Sequence, residues 1–208
     1  MAQNVDAFGI RSRTNVGIDE IRIELLRKSI HLLIALVPSL AFFIGAFPTT
    51  VILAAGVMFY ATCETLRMYG REVPVVSAVT SLAARKRDAG KFVLGPITLG
   101  LGAMLSLMLY PEPAASIAIY ALAFGDGLSS LVGKLFGTIR LPFTGGKSLE
   151  GSLTCFTAVF VSAYALSAKA LPSAAVALVA TITEACPLKD FDNIVLPLVT
   201  GCAALLLL

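Results

Sequence analysis

Glu64, Asp126, Glu150 and Glu184 all stand in or beside long apolar runs of this sequence. A charge inside a membrane segment costs several kcal/mol or more, so such a residue pairs with another charge or lines a functional cavity. Asp126 lies in the stretch Phe124-Gly125-Asp126-Gly127, which continues to Gly133, Lys134 and Gly137. Gly125 and Gly127 are expected to let the backbone bend and approach a ligand closely. Gly133 and Gly137 equally fit the small-residue pattern of helix packing in membranes. A carboxylate between flexible residues suits Mg²⁺, a hard cation that takes one or two carboxylates together with phosphate oxygens.

A second stretch reads Thr144-Gly145-Gly146-Lys147-Ser148-Leu149-Glu150-Gly151-Ser152. It is not a Walker A loop, because Leu141 stands where that pattern requires its first glycine. The physics is related all the same. A glycine-rich turn entering a helix offers free N–H groups and a positive dipole to phosphate. Lys147 adds a point charge and Ser148 an oxygen, with Lys134 and Arg140 near in sequence. Glu150, one turn into the helix, holds metal or caps the helix start.

Two further clusters accompany these. Arg27-Lys28 is followed by His31, and positions 27 and 31 share a helix face. They read either as a phosphate or headgroup site or as a basic membrane flank. Glu184 precedes Lys189-Asp190-Phe191-Asp192-Asn193, whose side chains are metal ligands or, at Asp192 or Asn193, a helix cap. Cys63, Cys155, Cys186 and Cys202 fit neither zinc nor redox spacing and read as packing residues.

The elements that must position these residues are membrane helices. Of the 208 residues 57% are hydrophobic and 14% charged, and the mean hydropathy is +0.88. Soluble domains average roughly 25% charged residues. The expected class is an all-α polytopic membrane protein of about seven helices. The candidate spans are residues 30–47, 49–62 (extending past Glu64 and Arg67 if that face lines a cavity), 92–110, a run from 114 through Asp126, 149–168, 172–186 and 193–208, and Pro48 is expected to mark the first tight turn. Residues 1–29 form an N-terminal segment, and 30–208 a single transmembrane catalytic domain. With the N-terminus placed in the cytoplasm, all of the 16 Lys and Arg except Lys169 fall on the cytoplasmic side, as the positive-inside rule requires. The acids fall towards that side too. The stretch 73–87 reads as an interfacial helix. A net charge of +3 distributed along the topology gives no reason to expect nucleic-acid binding.

The combination of Arg27-Lys28-x-x-His31, Glu64-x-x-Arg67, Gly125-Asp126-Gly127, Lys147-Ser148-Leu149-Glu150-Gly151-Ser152 and Glu184 with Asp192-Asn193 and Pro197 resembles the dolichol kinase/phytol kinase family, which includes CTP-dependent diacylglycerol kinases. The resemblance covers about residue 24 to the end. It implies an integral membrane kinase for a lipid alcohol (a polyprenol, a phytol-like alcohol or diacylglycerol), with CTP or another nucleotide as donor. The protein is then expected in the cell membrane or an inner membrane, with the site on the cytoplasmic side and homo-oligomers possible.

On that reading Asp126 and Glu150 hold Mg²⁺, with Asp192 and Asn193 as further candidates. Lys147, Gly145, Gly146 and Ser148 cradle phosphates beside Gly125, Gly127 and Lys134. Arg27 and Lys28 take phosphate or headgroup. His31, Glu64 and Arg67 contact substrate or hold the structure. The general base is Asp126, Glu64 or Glu184. The alternatives are phosphatidate cytidylyltransferase-like synthesis of a CDP-lipid and, in another class, an ion-coupled transporter.

Overall fold

A computed structural model describes residues 18–71, 73–83, 90–189 and 191–208. Of the stretches named above, residues 1–17 and 84–89 and Asp190 lie outside the described residues. The regular structure of the described residues is helical apart from a single β-bridge, Arg140 to Ser148. The helices are α1 (Ile18–Leu33), α2 (Val37–Ile44), α3 (Ala46–Met68), α4 (Pro74–Ala83), α5 (Gly95–Leu109), α6 (Ala114–Tyr120), α7 (Gly127–Leu135), α8 (Leu149–Ser167), α9 (Ala170–Ala185) and α10 (Asp192–Leu207). Among the described residues four stretches are long and apolar enough to cross a membrane: Ile23–Ile44, Ala46–Met68, Ala114–Leu135 and Leu149–Ser167. The helices α5, α9 and α10 are apolar but shorter.

The first helix begins at Ile18 and not at Ile30. Its polar turns are tolerated because Glu24, Arg27, Lys28 and His31 share one face by their three- and four-residue spacing, and that face packs on α7. A short 3₁₀ turn, Ile34–Leu36, joins α1 to α2, with Pro38 in the first turn of α2. The first reversal falls at Gly45, whose φ of 95° suits a residue without Cβ, and Pro48 lies inside α3. Between α6 and α7 the helix does not break at Gly125. It widens into a π turn over Ala121–Asp126, a rare geometry that often marks functional sites.

The core is built from small residues. Ala114, Ala121, Ala163, Ala177, Ala180 and Ala204 are buried with Ile117, Cys155, Val159, Val176 and Leu196, where α6, α8, α9 and α10 meet. Where lipid tails surround a bundle, close backbone approach and packing replace the hydrophobic effect as the cohesive force, and small residues permit both. Large apolar side chains point outward instead, Phe42, Phe43, Phe47, Phe59 and Leu171 among them.

Candidate functional site

Asp126 ends the π turn and is 4% exposed. Its Oδ2 accepts a hydrogen bond from Lys28 Nζ at 2.6 Å, and His31 Nε2 stands 3.4 Å from the same oxygen. Lys28 also donates to the Asp126 carbonyl oxygen at 3.1 Å. Lys28, 1% exposed, thus commits its charge to Asp126 and is not presented to a phosphate. Both of these side-chain contacts, from Lys28 and from His31, are made to Oδ2 and not to Oδ1.

One helical turn on, Ser129 Oγ lies 3.2 Å from both the Asp126 carbonyl oxygen and Glu184 Oε1, and its single proton serves one of them at a time. Lys147 Nζ donates to Glu184 Oε1 at 2.7 Å and also to the Glu184 carbonyl oxygen. Asp126, Ser129, Glu184 and Lys147 therefore form one continuous polar chain across α7, α9 and the loop before α8. Glu184 Oε2 is buried and has no hydrogen-bond partner among the described residues.

The residues 138–148 make a hairpin-like loop. Leu141 N donates to the Lys147 carbonyl and Leu149 N to the Ile139 carbonyl, both at 2.9 Å. Gly145 and Gly146 both have positive φ. Ser148 caps α8 by accepting from Gly151 N at 3.1 Å. This loop closes a cavity of about 360 Å³, whose wall includes Arg27, Lys134, Arg140, Lys147, Ser148 and Glu184. Four cations line this cavity, and such a setting would suit an anion with several charged oxygens.

A second cavity of about 310 Å³ is apolar and lies between α1, α3, α4 and α5, with Ile30, Val75, Val76, Val79, Pro96 and Leu99 in its wall. Arg27 and His31 form its polar end. Arg27 thus borders both cavities. A residue on α1 stands where an apolar ligand and a polyanion would meet.

Several expected placements are corrected. Glu150 is not beside Asp126. Its Oε1 accepts from Thr138 N at 2.8 Å, from Ile139 N at 3.3 Å and from the Thr138 hydroxyl, so it shapes the loop. Gly125 and Gly127 do not border the polyanion cavity. A Cβ on Gly125 would come 3.1 Å from Val159 Cγ2, so this glycine serves the packing of α8, and Gly127 faces Leu32 and His31. Asn193 turns its amide NH₂ to Thr98 Oγ1 at 2.9 Å and the Gly95 carbonyl at 3.4 Å, joining α10 to α5. Asp192 Oδ1 accepts from Asn193 N at the start of α10. Among the described residues no group of three or more His, Cys, Asp or Glu side chains is set for a metal ion.

Glu64 forms a separate unit. It receives Arg67 Nε at 2.8 Å, Arg67 Nη2 at 2.6 Å and Val93 N at 2.8 Å, while Arg67 also donates to the Lys91 carbonyl at 2.9 Å. This pair ties α3 to the segment entering α5. The sequence reading passed over Glu24, Ser129 and the apolar cavity. Glu24, 2% exposed, accepts from Arg27 Nη2 at 2.5 Å and from Lys134. Its three-residue spacing from Arg27 was the available signal.

An all-helical, multi-pass membrane protein with a polyanion cavity and an apolar cavity meeting at one arginine is the class that fold and site define. The chain is a distant homologue of plant phytol and farnesol kinases, which are lipid alcohol kinases. It is 28% identical over 175 residues to a probable phytol kinase 1, chloroplastic, of Oryza sativa subsp. japonica, covering 74% of this chain and 54% of that one. It is 28% identical over 210 residues to a probable phytol kinase, chloroplastic, of Triticum aestivum (88% and 67%). It is 28% identical over 144 residues to a farnesol kinase, chloroplastic, of Arabidopsis thaliana (68% and 47%). The chain spans about half to two thirds of the length of these relatives. No family model and no solved structure matches it.

Proposed function

We propose that the protein is a lipid alcohol kinase, which transfers the terminal phosphoryl group of a nucleoside triphosphate, CTP in the first instance, to the hydroxyl of an isoprenoid-like membrane alcohol. The observation that carries this reading is the position of Arg27 in the wall of both cavities. The apolar cavity suits the tail and the cationic one the triphosphate, so hydroxyl and terminal phosphate would meet at their boundary. Homology to phytol and farnesol kinases supports the same reaction class.

Phosphoryl transfer demands positioning and charge neutralisation more than covalent chemistry. Lys147, Arg140, Lys134 and the Gly145-Gly146 backbone would hold the phosphates. Mg²⁺ would fit at Glu184, which lines the cationic cavity and has one buried carboxylate oxygen without a donor among the described residues. When bound, the ion supplies charge neutralisation on the phosphate oxygens. Glu184, rather than Glu150, is then the carboxylate that holds it.

Asp126 is the general base in this scheme. Lys28 and His31 fix its Oδ2, which leaves Oδ1 to take the hydroxyl proton. The alcohol oxygen attacks the terminal phosphorus, the bond to the bridging oxygen breaks, and a nucleoside diphosphate leaves. Glu64 is unsuited to this role because Arg67 and Val93 N already occupy both its oxygens.

For the membrane arrangement we favour seven crossings, with α5, α9 and α10 completing the four longer spans, and the site on the Lys- and Arg-rich side. The test is an assay of purified protein against phytol, farnesol, a polyprenol, diacylglycerol and phosphatidate with each nucleoside triphosphate, scoring both products. Phosphorylated alcohol and nucleoside diphosphate are expected, and Asp126→Asn should lose turnover. A CDP-lipid with pyrophosphate, formed from phosphatidate and CTP, would instead establish the cytidylyltransferase reading.

A further inference from the structure

We infer that Glu24 is a positioning residue that aims Arg27 at the phosphoryl group in transit between the two cavities, an inference that rests on the kinase reading above. Glu24 lies on α1, one turn before Arg27, and is 2% exposed. Its two oxygens serve two cations on two helices. Oε1 accepts from Arg27 Nη2 at 2.5 Å, and Oε2 accepts from Lys134 on α7. A buried carboxylate held from both sides has little freedom, so it fixes the guanidinium it touches.

The other donors of Arg27 explain what that fixation is for. A guanidinium carries five N–H donors in a rigid plane. Glu24 takes one of them. Arg27 Nε is buried and has no hydrogen-bond partner among the described residues. A buried donor without an acceptor is costly, about 1–3 kcal/mol, unless a ligand completes it. Arg27 borders both the apolar and the polyanion cavity, so the completing acceptor must stand at their junction. A phosphoryl group moving from one cavity to the other passes there, and its equatorial oxygens match the planar donors of a guanidinium. The charges agree with this. Glu24 neutralises one of its two cations and leaves one positive charge for the incoming anion.

A purely structural role, pinning α1 to α7, would account for the ion pairs alone. The two roles differ in what they do to kinetics. A residue that aims a donor used only in the transition state lowers kcat and leaves both KM values alone, whereas a loosened helix pair lowers the amount of folded protein. The experiment therefore measures steady-state turnover of detergent-purified full-length protein carrying Glu24→Gln, Arg27→Met or both, normalised to folded protein by gel filtration. Wild-type protein is assayed first with the alcohol and nucleotide it prefers.

Glu24→Gln is expected to lower kcat by about 10²-fold, the cost typical of displacing a catalytic group by about 1 Å. Its KM values should stay within about threefold of wild type. If Glu24 acts through Arg27, the double variant should turn over within about twofold of Arg27→Met alone. Wild-type kcat in Glu24→Gln overturns the inference, and so do losses that multiply in the double variant. If Glu24→Gln does not accumulate, Glu24→Asp replaces it. That variant keeps the charge but withdraws the carboxylate by one methylene, and a wild-type kcat there is equally fatal. Absence of phosphorylated alcohol from wild-type protein overturns the kinase reading itself, a result visible before any variant is compared.

Discussion

Lys28→Met tests whether the Lys28–Asp126 pair holds the bundle together, and it leaves the proposed base itself in place. The two groups are 1% and 4% exposed and meet at 2.6 Å. At that separation and an effective dielectric of 20 the gross attraction is about 6 kcal/mol. Desolvation of both groups offsets much of this, and removing one partner of such a pair costs about 3–5 kcal/mol because the other charge stays buried. His31 Nε2, 3.4 Å from the same oxygen, remains to share the charge, which favours the lower end, about 3 kcal/mol. For a chain of this length each kcal/mol moves the Tm by about 2–4 °C, so the expected shift is about 6–12 °C downward.

The cysteines supply the assay. Cys63 and Cys155 are buried, whereas Cys186 and Cys202 are exposed. With Cys186 and Cys202 replaced by Ser, a thiol-reactive dye in detergent reports unfolding alone. Asp126→Asn should also be destabilised, since it leaves Lys28 charged and buried. The double variant Lys28→Met with Asp126→Asn removes both charges and should recover most of the lost stability while remaining inactive. A Lys28→Met protein melting within about 2 °C of wild type would refute the argument.

Glu184→Gln keeps an acceptor for Ser129 and Lys147 but removes the charge a cation needs. The Mg²⁺ concentration for half-maximal turnover should rise at least about tenfold, and an unchanged Mg²⁺ curve would show that Glu184 is not a ligand. Val79→Phe adds bulk to the wall of the apolar cavity. It should raise the KM for the alcohol by about tenfold and leave that for the nucleotide unchanged, a split read from two substrate titrations. Gly151→Ala places a Cβ 2.8 Å from the Ser129 carbonyl oxygen and 3.4 Å from Gly133 Cα, at the crossing of α7 and α8. Overpacking there should cost about 1–3 kcal/mol, measured as a lower Tm with the same dye.

The helices were legible because hydropathy and length report them directly. The runs expected to begin at Ala114, Leu149, Pro172 and Asn193 start within two residues of the observed helices. The first two boundaries were less so. A helix start at Ile30 assumed that charges end a span, but Glu24, Arg27 and Lys28 each find a partner inside the bundle, which spacing along one chain does not announce. Pairings across 98 or 110 residues, such as Lys28 with Asp126 and Lys134 with Glu24, are facts of tertiary packing.

The same limit explains the exchange of roles between Glu150 and Glu184. Both are acids near a basic loop, and motif spacing favoured Glu150 because it follows Lys147 and Ser148. Three donors from Thr138 and Ile139 converge on one oxygen of Glu150, so that carboxylate builds the loop. Glu184 comes from a different helix and meets Lys147 only when α9 packs beside α8, which sequence proximity cannot reveal. The two acids are therefore complementary. Glu150 gives the loop its shape, that shape carries Lys147 to Glu184, and the remaining oxygen of Glu184 has no donor among the described residues. Glu150→Gln should accordingly disturb nucleotide KM through the loop, while Glu184→Gln acts on metal dependence; equal effects on Mg²⁺ dependence from both variants would overturn this division.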